Sequence, residues 1–156
     1  MLSALEIREA EQSDAESILA LQKIAYQSEA ALYHDWSIPP LTQTLDDLRN
    51  EFSHTLVLKT QIADIVVGSV RANCENGVCA IGRLIVHPDH QRQGIGTRLM
   101  QAIEALFPSA KRFELFTGDR SEGNIRLYAK LGYRVIRSDE PSPTIKLVYM
   151  EKLRLD

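Results

Sequence analysis

Asn76-Gly77 separates two long β-prone runs, Ile65–Asn73 and Val78–Val86. Asn-Gly between such runs is the strongest short-range signal for a two-residue hairpin, so these strands are expected to be antiparallel neighbours. The second run leads into a helix-period segment, Ile95 to Phe107, with Ile95, Leu99, Ala102, Ile103 and Leu106 at helical spacing. Pro108 stops that segment, and Phe113–Thr117 reads as a strand again. Strand, helix, strand is a crossover that joins parallel strands with right-handed sense. One hairpin feeding one parallel crossover demands a mixed sheet, which excludes all-helical, pure sandwich and all-parallel folds.

The remaining elements extend that frame. Leu5–Arg8 and Thr55–Thr60 read as strands, and so do Tyr133–Arg137 and Thr144–Leu153. Ser13 with Glu16 predicts a capped helix whose buried stripe is Ile18, Leu21, Ile24 and Ala25; Thr44 with Asp47 predicts a second, with Leu45, Leu48 and Phe52 inward. Pro39-Pro40 interrupts the chain between them. Asn124 is placed to cap a short helix that ends at Gly132. The expectation is an α/β (mixed α+β) fold: one domain over residues 1–156, with a twisted mixed sheet of six or seven strands flanked by about four helices.

Composition narrows the functional classes. Eighteen Lys+Arg against 21 Asp+Glu give a net charge of −3, without the basic face of a nucleic-acid binder. No apolar run reaches the ~18 residues of a membrane span. Met1–Ala10 carries Glu6, Arg8 and Glu9 and no apolar leader core, so a cytoplasmic location is expected. Cys74 and Cys79 flank the Asn-Gly turn and should face each other across the hairpin; in that compartment they are read as a reduced pair, with a redox clip as the alternative. His34, His54, His87 and His90 form no zinc pattern with them.

The chemistry concentrates in Leu84-Ile85-Val86-His87-Pro88-Asp89-His90-Gln91-Arg92-Gln93-Gly94-Ile95-Gly96-Thr97. Here a strand ends, a polar loop turns, and a helix begins at two glycines. The first amides of a helix have no internal acceptor and sit at the positive end of its dipole, so such an entry suits an anion, above all a pyrophosphate. Arg92 can add a charge-assisted contact. A Walker loop is absent, and the third glycine of a dinucleotide fingerprint is replaced by Leu99.

Gln91-x-x-Gly94-x-Gly96, directly after Leu84-x-Val86-His87-Pro88, resembles the acyl-CoA loop of the GCN5-related N-acetyltransferases (GNAT). Asn124-Ile-Arg-Leu-Tyr128-Ala-Lys-Leu-Gly132-Tyr133 is similar to the next motif of that family, in the right order, and the likeness spans roughly Ile65 to Val135. The resemblance implies acetyl-CoA as cosubstrate, with no metal because the thioester is already activated. It implies that Leu84, Ile85 and Val86 offer main-chain groups to the pantetheine arm. Gln91, Arg92, Gln93, Gly94, Ile95, Gly96 and Thr97 would wrap the pyrophosphate, Asn124 would hydrogen-bond the pantetheine, and Tyr128 would stand near the sulfur as general acid. The activity implied is direct acetyl transfer to a primary amine, carried by a small molecule or by a protein. An acyl-CoA sensor or scaffold without turnover, and an enzyme using a longer acyl group, are the alternatives. Homodimerisation follows from family habit alone.

The general base is not evident. Strict strand alternation puts Ala80 and Gly82 on the face of Leu84 and Arg83 on the other, and neither Ala80 nor Gly82 can take a proton. Glu29, His34, Asp35 and Glu114 are the candidates elsewhere. Tyr26–Leu41, rich in aromatic and acidic residues, reads equally as a cover for the acceptor amine or as a helix end and Pro-fixed loop packed on the sheet, and Tyr149 as a further wall. His87 and His90 flank the loop as structural or solvent-facing residues.

Overall fold

In the computed structural model Asn76 and Gly77 both take positive φ, 54° and 82°, and form the two-residue turn that the sequence predicts. The structure describes residues 5–154; the outermost residues of the expected 1–156 domain lie outside it. The turn joins β3 (Ile65–Glu75) to β4 (Val78–Val86) in antiparallel register, with Cys74 opposite Cys79. Those two cysteines are joined by a disulfide, their Cα atoms 4.0 Å apart, which replaces the expected reduced pair. Direct cross-strand registry brings the two sulfurs together.

Seven strands form one sheet in the order β1-β2-β3-β4-β5-β7-β6. β1 (Ile7–Glu9), β2 (Leu56–Ile62), β3 and β4 are successively antiparallel. β5 (Arg112–Gly118) runs parallel to β4, and β7 (Ile145–Leu153) runs antiparallel between β5 and β6 (Arg134–Ser142). α5 (Ile95–Ala105) is the crossover helix. It buries Ile95, Leu99, Met100 and Ile103 against Leu58, Val67, Val70 and Ile81 on one face of the sheet. α1 (Ala15–Ala25) and α4 (Leu45–Glu51) cover the other face, where Ile18, Leu21 and Leu48 pack on Val57, Val66 and Ile85.

Several local expectations shift. α1 begins at Ala15 after a 3-10 turn over Gln12–Asp14, and the Glu11 amide donates to the Asp14 carboxylate at 2.8 Å, so no Ser13–Glu16 box forms. The Thr44–Asp47 box does form, the Asp47 amide donating to the Thr44 hydroxyl at 3.1 Å. The segment after Ala25 is helical rather than a loop: α2 (Gln27–Tyr33) follows directly, and Pro39-Pro40 open the short α3 (Pro39–Thr42), where their fixed φ suits a first turn. α6 (Glu122–Lys130) is capped at Ser121, placing Asn124 in its first turn rather than at its cap, and Gly132 follows with φ 101°.

Two irregularities of β4 position the site. Its pairing with β5 covers only Val78–Ala80 against Arg112–Glu114; beyond that the parallel strands part, and a cleft opens between Ile81–Val86 and Leu115–Gly118. A bulge also interrupts the pairing with β3, because register passes from Arg71 opposite Gly82 to Ser69 opposite Ile85. Two residues, Arg83 and Leu84, therefore oppose the single Val70. Side-chain parity flips there: Cys79 and Ile81 share the α5 face with Leu84 and Val86, while Ile85 belongs to the α1 face. The alternation expected from the sequence fails at this bulge.

Candidate functional site

The cleft between the parted strands holds two adjoining cavities. The first, about 530 Å³, runs along the entry to α5 and is lined by Leu84–Val86, residues 90–92 and 94–97, one side of α6 and the junction of α1 and α2. Its mouth is main chain. Among the described residues, no backbone acceptor takes the amides of Gln91 through Thr97, whereas the Arg98 amide closes the first helical bond to the Gly94 carbonyl at 3.1 Å. Arg92 and Gly94 have φ of 63° and 80°, left-handed conformations that alternate with ordinary ones in loops whose amides can gather round an anion. A Cβ at Gly96 would stand 3.4 Å from Leu127 Cδ2 and 3.8 Å from Leu84 Cδ2, in ordinary contact with both, so a longer side chain there would enter the neck between α5, α6 and β4. A diphosphate fits this arrangement: free donors at a helix N-terminus, with a glycine where the backbone must come close.

Of the residues singled out from the sequence, Leu84, Ile85, Val86, Gln91, Arg92, Gly94, Ile95, Gly96, Thr97 and Asn124 line this groove. Gln93 does not. Gln91 Nε2 donates to the Val86 carbonyl at 3.3 Å, which ties the loop back to its own strand. The groove also takes in Arg126 and Lys130 from α6, cations beyond those expected from the loop.

The second cavity, about 430 Å³, is roofed by α2 and Ile38–Pro40 and floored by Ile81–Leu84 and the ends of β5 and β7. The roof is tied down from beneath. Buried Arg71 donates to Gln22 Oε1 at 2.8 Å and reaches Glu51 at 3.3 Å, and Gln22 Nε2 donates to the Pro40 carbonyl at 2.8 Å. Tyr33, 7% exposed, donates from its hydroxyl to Asp119 at 2.9 Å and accepts from the Arg120 amide at 2.7 Å. Burial pushes its phenol up to about 12, and α2 is thereby fixed to the end of β5.

Four residues border both cavities: Tyr26, Glu29, Leu84 and Asn124. Tyr128, 6% exposed, faces the second cavity beside this junction and stacks edge-on to Tyr133 with centroids 6.0 Å apart. Burial, with the charges of Tyr26 and Glu29 acting in the same sense, drives its phenol well above the ordinary range and keeps it protonated. Glu29 accepts a hydrogen bond from the Ser121 hydroxyl at the head of α6. Burial raises its carboxyl above the ordinary range, and the Ser121 contact only partly opposes this.

The other base candidates are disposed differently. Asp35 lines the second cavity, but its carboxylate accepts from the Ser37 hydroxyl, from the Thr144 hydroxyl at 2.7 Å and from the Ser37 amide at 2.9 Å, and those bonds hold it below the usual range. Glu114 pairs with Arg112 at 3.0 Å, outside both cavities. His34 is exposed at the end of α2 in a left-handed conformation. Tyr149 stacks on Phe116 and lies 3.9 Å beneath the Arg137 guanidinium, forming no wall of the cleft. His90 lines the groove, while His87 Nδ1 accepts from the Asp89 amide at 3.1 Å. Arg83, assigned by alternation to the opposite face, lines the second cavity, because the bulge re-aims it. Among the described residues no helix is long and apolar enough to cross a membrane.

Comparison with known proteins agrees with this geometry. The family model described as Acetyltransferase (GNAT) family matches residues 15–133. UPF0157 protein YqkA of Bacillus subtilis is 28% identical over 134 residues, covering 86% of this chain; the chain spans only 38% of that relative's length. PaiA N-acetyltransferase from Thermoplasma acidophilum, solved with coenzyme A, superposes with a TM-score of 0.82 at 17% identity, over 97% of this chain and 100% of that one. YncA from Salmonella typhimurium, solved with its cofactor acetyl-CoA, superposes with a TM-score of 0.74 at 20% identity, over 97% and 94% of the two chains.

Proposed function

The chain belongs to the acetyltransferase (GNAT) family, and from that premise we propose that it moves the acetyl group of acetyl-CoA directly to a primary amine in a ternary complex. The observation that carries this reading is the row of amides from Gln91 to Thr97, unclaimed by any backbone acceptor and opening onto a groove that meets a second cavity at Glu29 and Asn124. The amides hold the pyrophosphate, and Arg92, Arg126 and Lys130 add positive charge along the groove. Asn124 and the unpaired edge of β4 take the pantetheine arm, whose thioester supplies an activated acyl group.

The chain's own residues then manage two protons. A lysine-like amine has a pKa of ~10.4 in water and must become neutral before it attacks. Glu29, desolvated but still able to ionise, takes the first proton and passes it to solvent. The N–H groups of Leu84 or Ile85 hold the negative charge that develops on the acyl oxygen. Tyr128 gives its proton to the departing sulfur and regains one from the nitrogen. One C–N bond forms, one C–S bond breaks, and one net proton leaves. With Glu29 at the junction the cleft has a base as well as an acid, which favours turnover over a sensor without chemistry.

The test is a panel of amines with acetyl-CoA and detection of free thiol. Acetyl-CoA is expected to raise the melting temperature more than succinyl-CoA, and thiol release is expected to depend on the amine. No thermal shift with millimolar acetyl-CoA would overturn the reading.

A further inference from the structure

Three charged side chains line the second cavity: Glu29, Asp35 and Arg83. Two are already engaged. Asp35 is held by Ser37 and Thr144, and Glu29 by Ser121. Arg83 is not. Its Nε is buried with no acceptor. Arg71, Arg112 and Arg154 also leave Nε bare, yet each commits its terminal nitrogens: Arg71 to Glu51 at 3.3 Å, Arg112 to Glu114 at 3.0 Å, Arg154 to the carbonyls of Glu104 and Phe107 at 2.8 and 3.1 Å. Among the described residues Arg83 alone of the four has neither a carboxylate nor a carbonyl partner. The Tyr26 phenol takes a hydrogen bond from Arg83, but a neutral phenol does not cancel the charge of a guanidinium.

The backbone goes out of its way to place this side chain. Arg83 occupies the bulge with φ 50°, a left-handed conformation that favours glycine and strains a larger residue. Bulges beside active sites re-aim side chains, and here the bulge turns a cation toward a chamber whose apolar walls are Ile38, Pro40, Ile81 and Leu147. A half-buried charge with no opposite charge beside it is costly, and a ligand that supplies one recovers part of that cost on binding. Guanidinium geometry matches a carboxylate in bidentate fashion. Glu29 stands in the same cavity but not within ion-pair distance of Arg83, so the chamber presents a negative group at the reaction junction and a positive group apart from it.

We propose that the acceptor is a free amino acid with an apolar side chain: its carboxylate is held by Arg83, its amine is directed to Glu29, and its side chain packs on Ile38, Ile81 and Leu147. This rests on the acetyltransferase reading and specifies its substrate class. An amine without its own carboxylate, including the lysine or N-terminus of a protein, leaves Arg83 unpaired.

The experiment compares matched acceptors, leucine against leucinamide and phenylalanine against phenethylamine, in wild type, Arg83→Met and Arg83→Lys, with acetyl-CoA and thiol detection. Wild type is expected to favour each amino acid at least tenfold in kcat/KM. Arg83→Met should bring that preference to within about twofold, chiefly through KM, and Arg83→Lys should restore part of it. A binding arm avoids dependence on turnover: N-acetylleucine, but not its amide, should raise the melting temperature of CoA-saturated wild type, and Arg83→Met should lose that shift. Equal use of the paired acceptors, a preference that survives Arg83→Met, or no shift with N-acetylleucine overturns the proposal while leaving acetyl-CoA binding in place. Loss of the acetyl-CoA shift in wild type removes the acetyltransferase reading instead, and this inference with it.

Discussion

The two halves of the cleft are built from different materials. The groove beside α5 draws chiefly on one continuous stretch, Leu84 to Thr97, whose loop amides have no backbone acceptor, with α6 and the α1–α2 junction completing it. The second cavity is mostly side chains drawn from segments far apart in sequence: α2, Ile38–Pro40, the β4 bulge and the ends of β5 and β7. A site made of backbone needs particular φ values and bare Cα positions, so it is written as glycine spacing within a dozen residues. A site made of side chains needs only that the fold bring them together, and it leaves no local pattern. The first half thus suits a ligand part common to many proteins, and the second is free to vary.

Removing the acid tests this division most severely. Tyr128→Phe keeps the ring that packs on Tyr133 and deletes the proton donor. It is expected to lower kcat by ~10²–10⁴-fold, the usual contribution of a positioned acid. The acetyl-CoA affinity of the variant, read by calorimetry, should stay within about threefold of wild type. Unchanged kcat would reduce Tyr128 to a packing residue.

Gly96→Glu attacks the backbone half. The Cβ alone would sit in ordinary contact with Leu127 and Leu84, and the carboxylate beyond it would bring negative charge to the mouth where the proposal places a diphosphate. At acetyl-CoA concentrations of ~100 times Kd, wild type should gain ~2.7 kcal/mol, seen as a rise in Tm. The variant is expected to show none of it, with affinity reduced more than ~100-fold. Retained affinity would detach the glycine spacing from the cofactor.

Glu29→Gln separates chemistry from binding at the junction. Because burial raises the Glu29 carboxyl, the rising limb of kcat/KM against pH should lie above the ordinary carboxylate range in wild type and flatten in the variant, with a loss of about ten- to a hundredfold at neutral pH. Stability should move the other way. A carboxyl whose folded pKa exceeds its unfolded value contributes stability below the unfolded value and loses it as pH rises through the folded one. Gln should therefore melt slightly higher than Glu at pH 7 and no higher below pH 4, a comparison that melting curves across pH would read directly.

How much of this was legible in the sequence follows the same division. The hairpin, the crossover and seven strands follow from Asn76-Gly77, from β-prone runs and from helical spacing, because those are local properties. The groove followed from Gly94 and Gly96. What failed was whatever depended on irregular backbone or on distant contact. Strict alternation put Arg83 on the wrong face, since a one-residue bulge leaves no signature in a run such as Gly82-Arg83-Leu84. Asn124 was expected to cap α6, but Ser121 does so, its hydroxyl donating to Glu29 from a helix some ninety residues earlier. Glu29 stood among four equal candidates until the fold put it on the border of both cavities. Tyr26–Leu41 admitted a cover for the acceptor or a packed helix end; its residues roof the second cavity, and which ligand lies beneath them belongs to the proposal.

The smallest predicted effect probes how finely the side-chain half is fitted. An alanine Cβ at Gly118 would overlap the Tyr33 ring, 2.9 Å from Cζ and Cε2, as well as its hydroxyl. The ring has no easy retreat, because that hydroxyl is bonded on one side to Asp119 and on the other to the Arg120 amide. Gly118→Ala is therefore expected to cost about 1–3 kcal/mol, the range for an overpacked site, and to lower Tm accordingly. Tyr33 anchors α2, and α2 carries Glu29, so KM for the amine should rise several-fold while the acetyl-CoA shift persists. Gly82→Ala is the control: it borders the same cavity, yet its Cβ would meet nothing within 4 Å, and its Tm should stay near wild type. If Gly118→Ala weakened acetyl-CoA as much as the amine, the two halves would be one mechanical unit, because strain entering through Tyr33 would have crossed the junction into the groove.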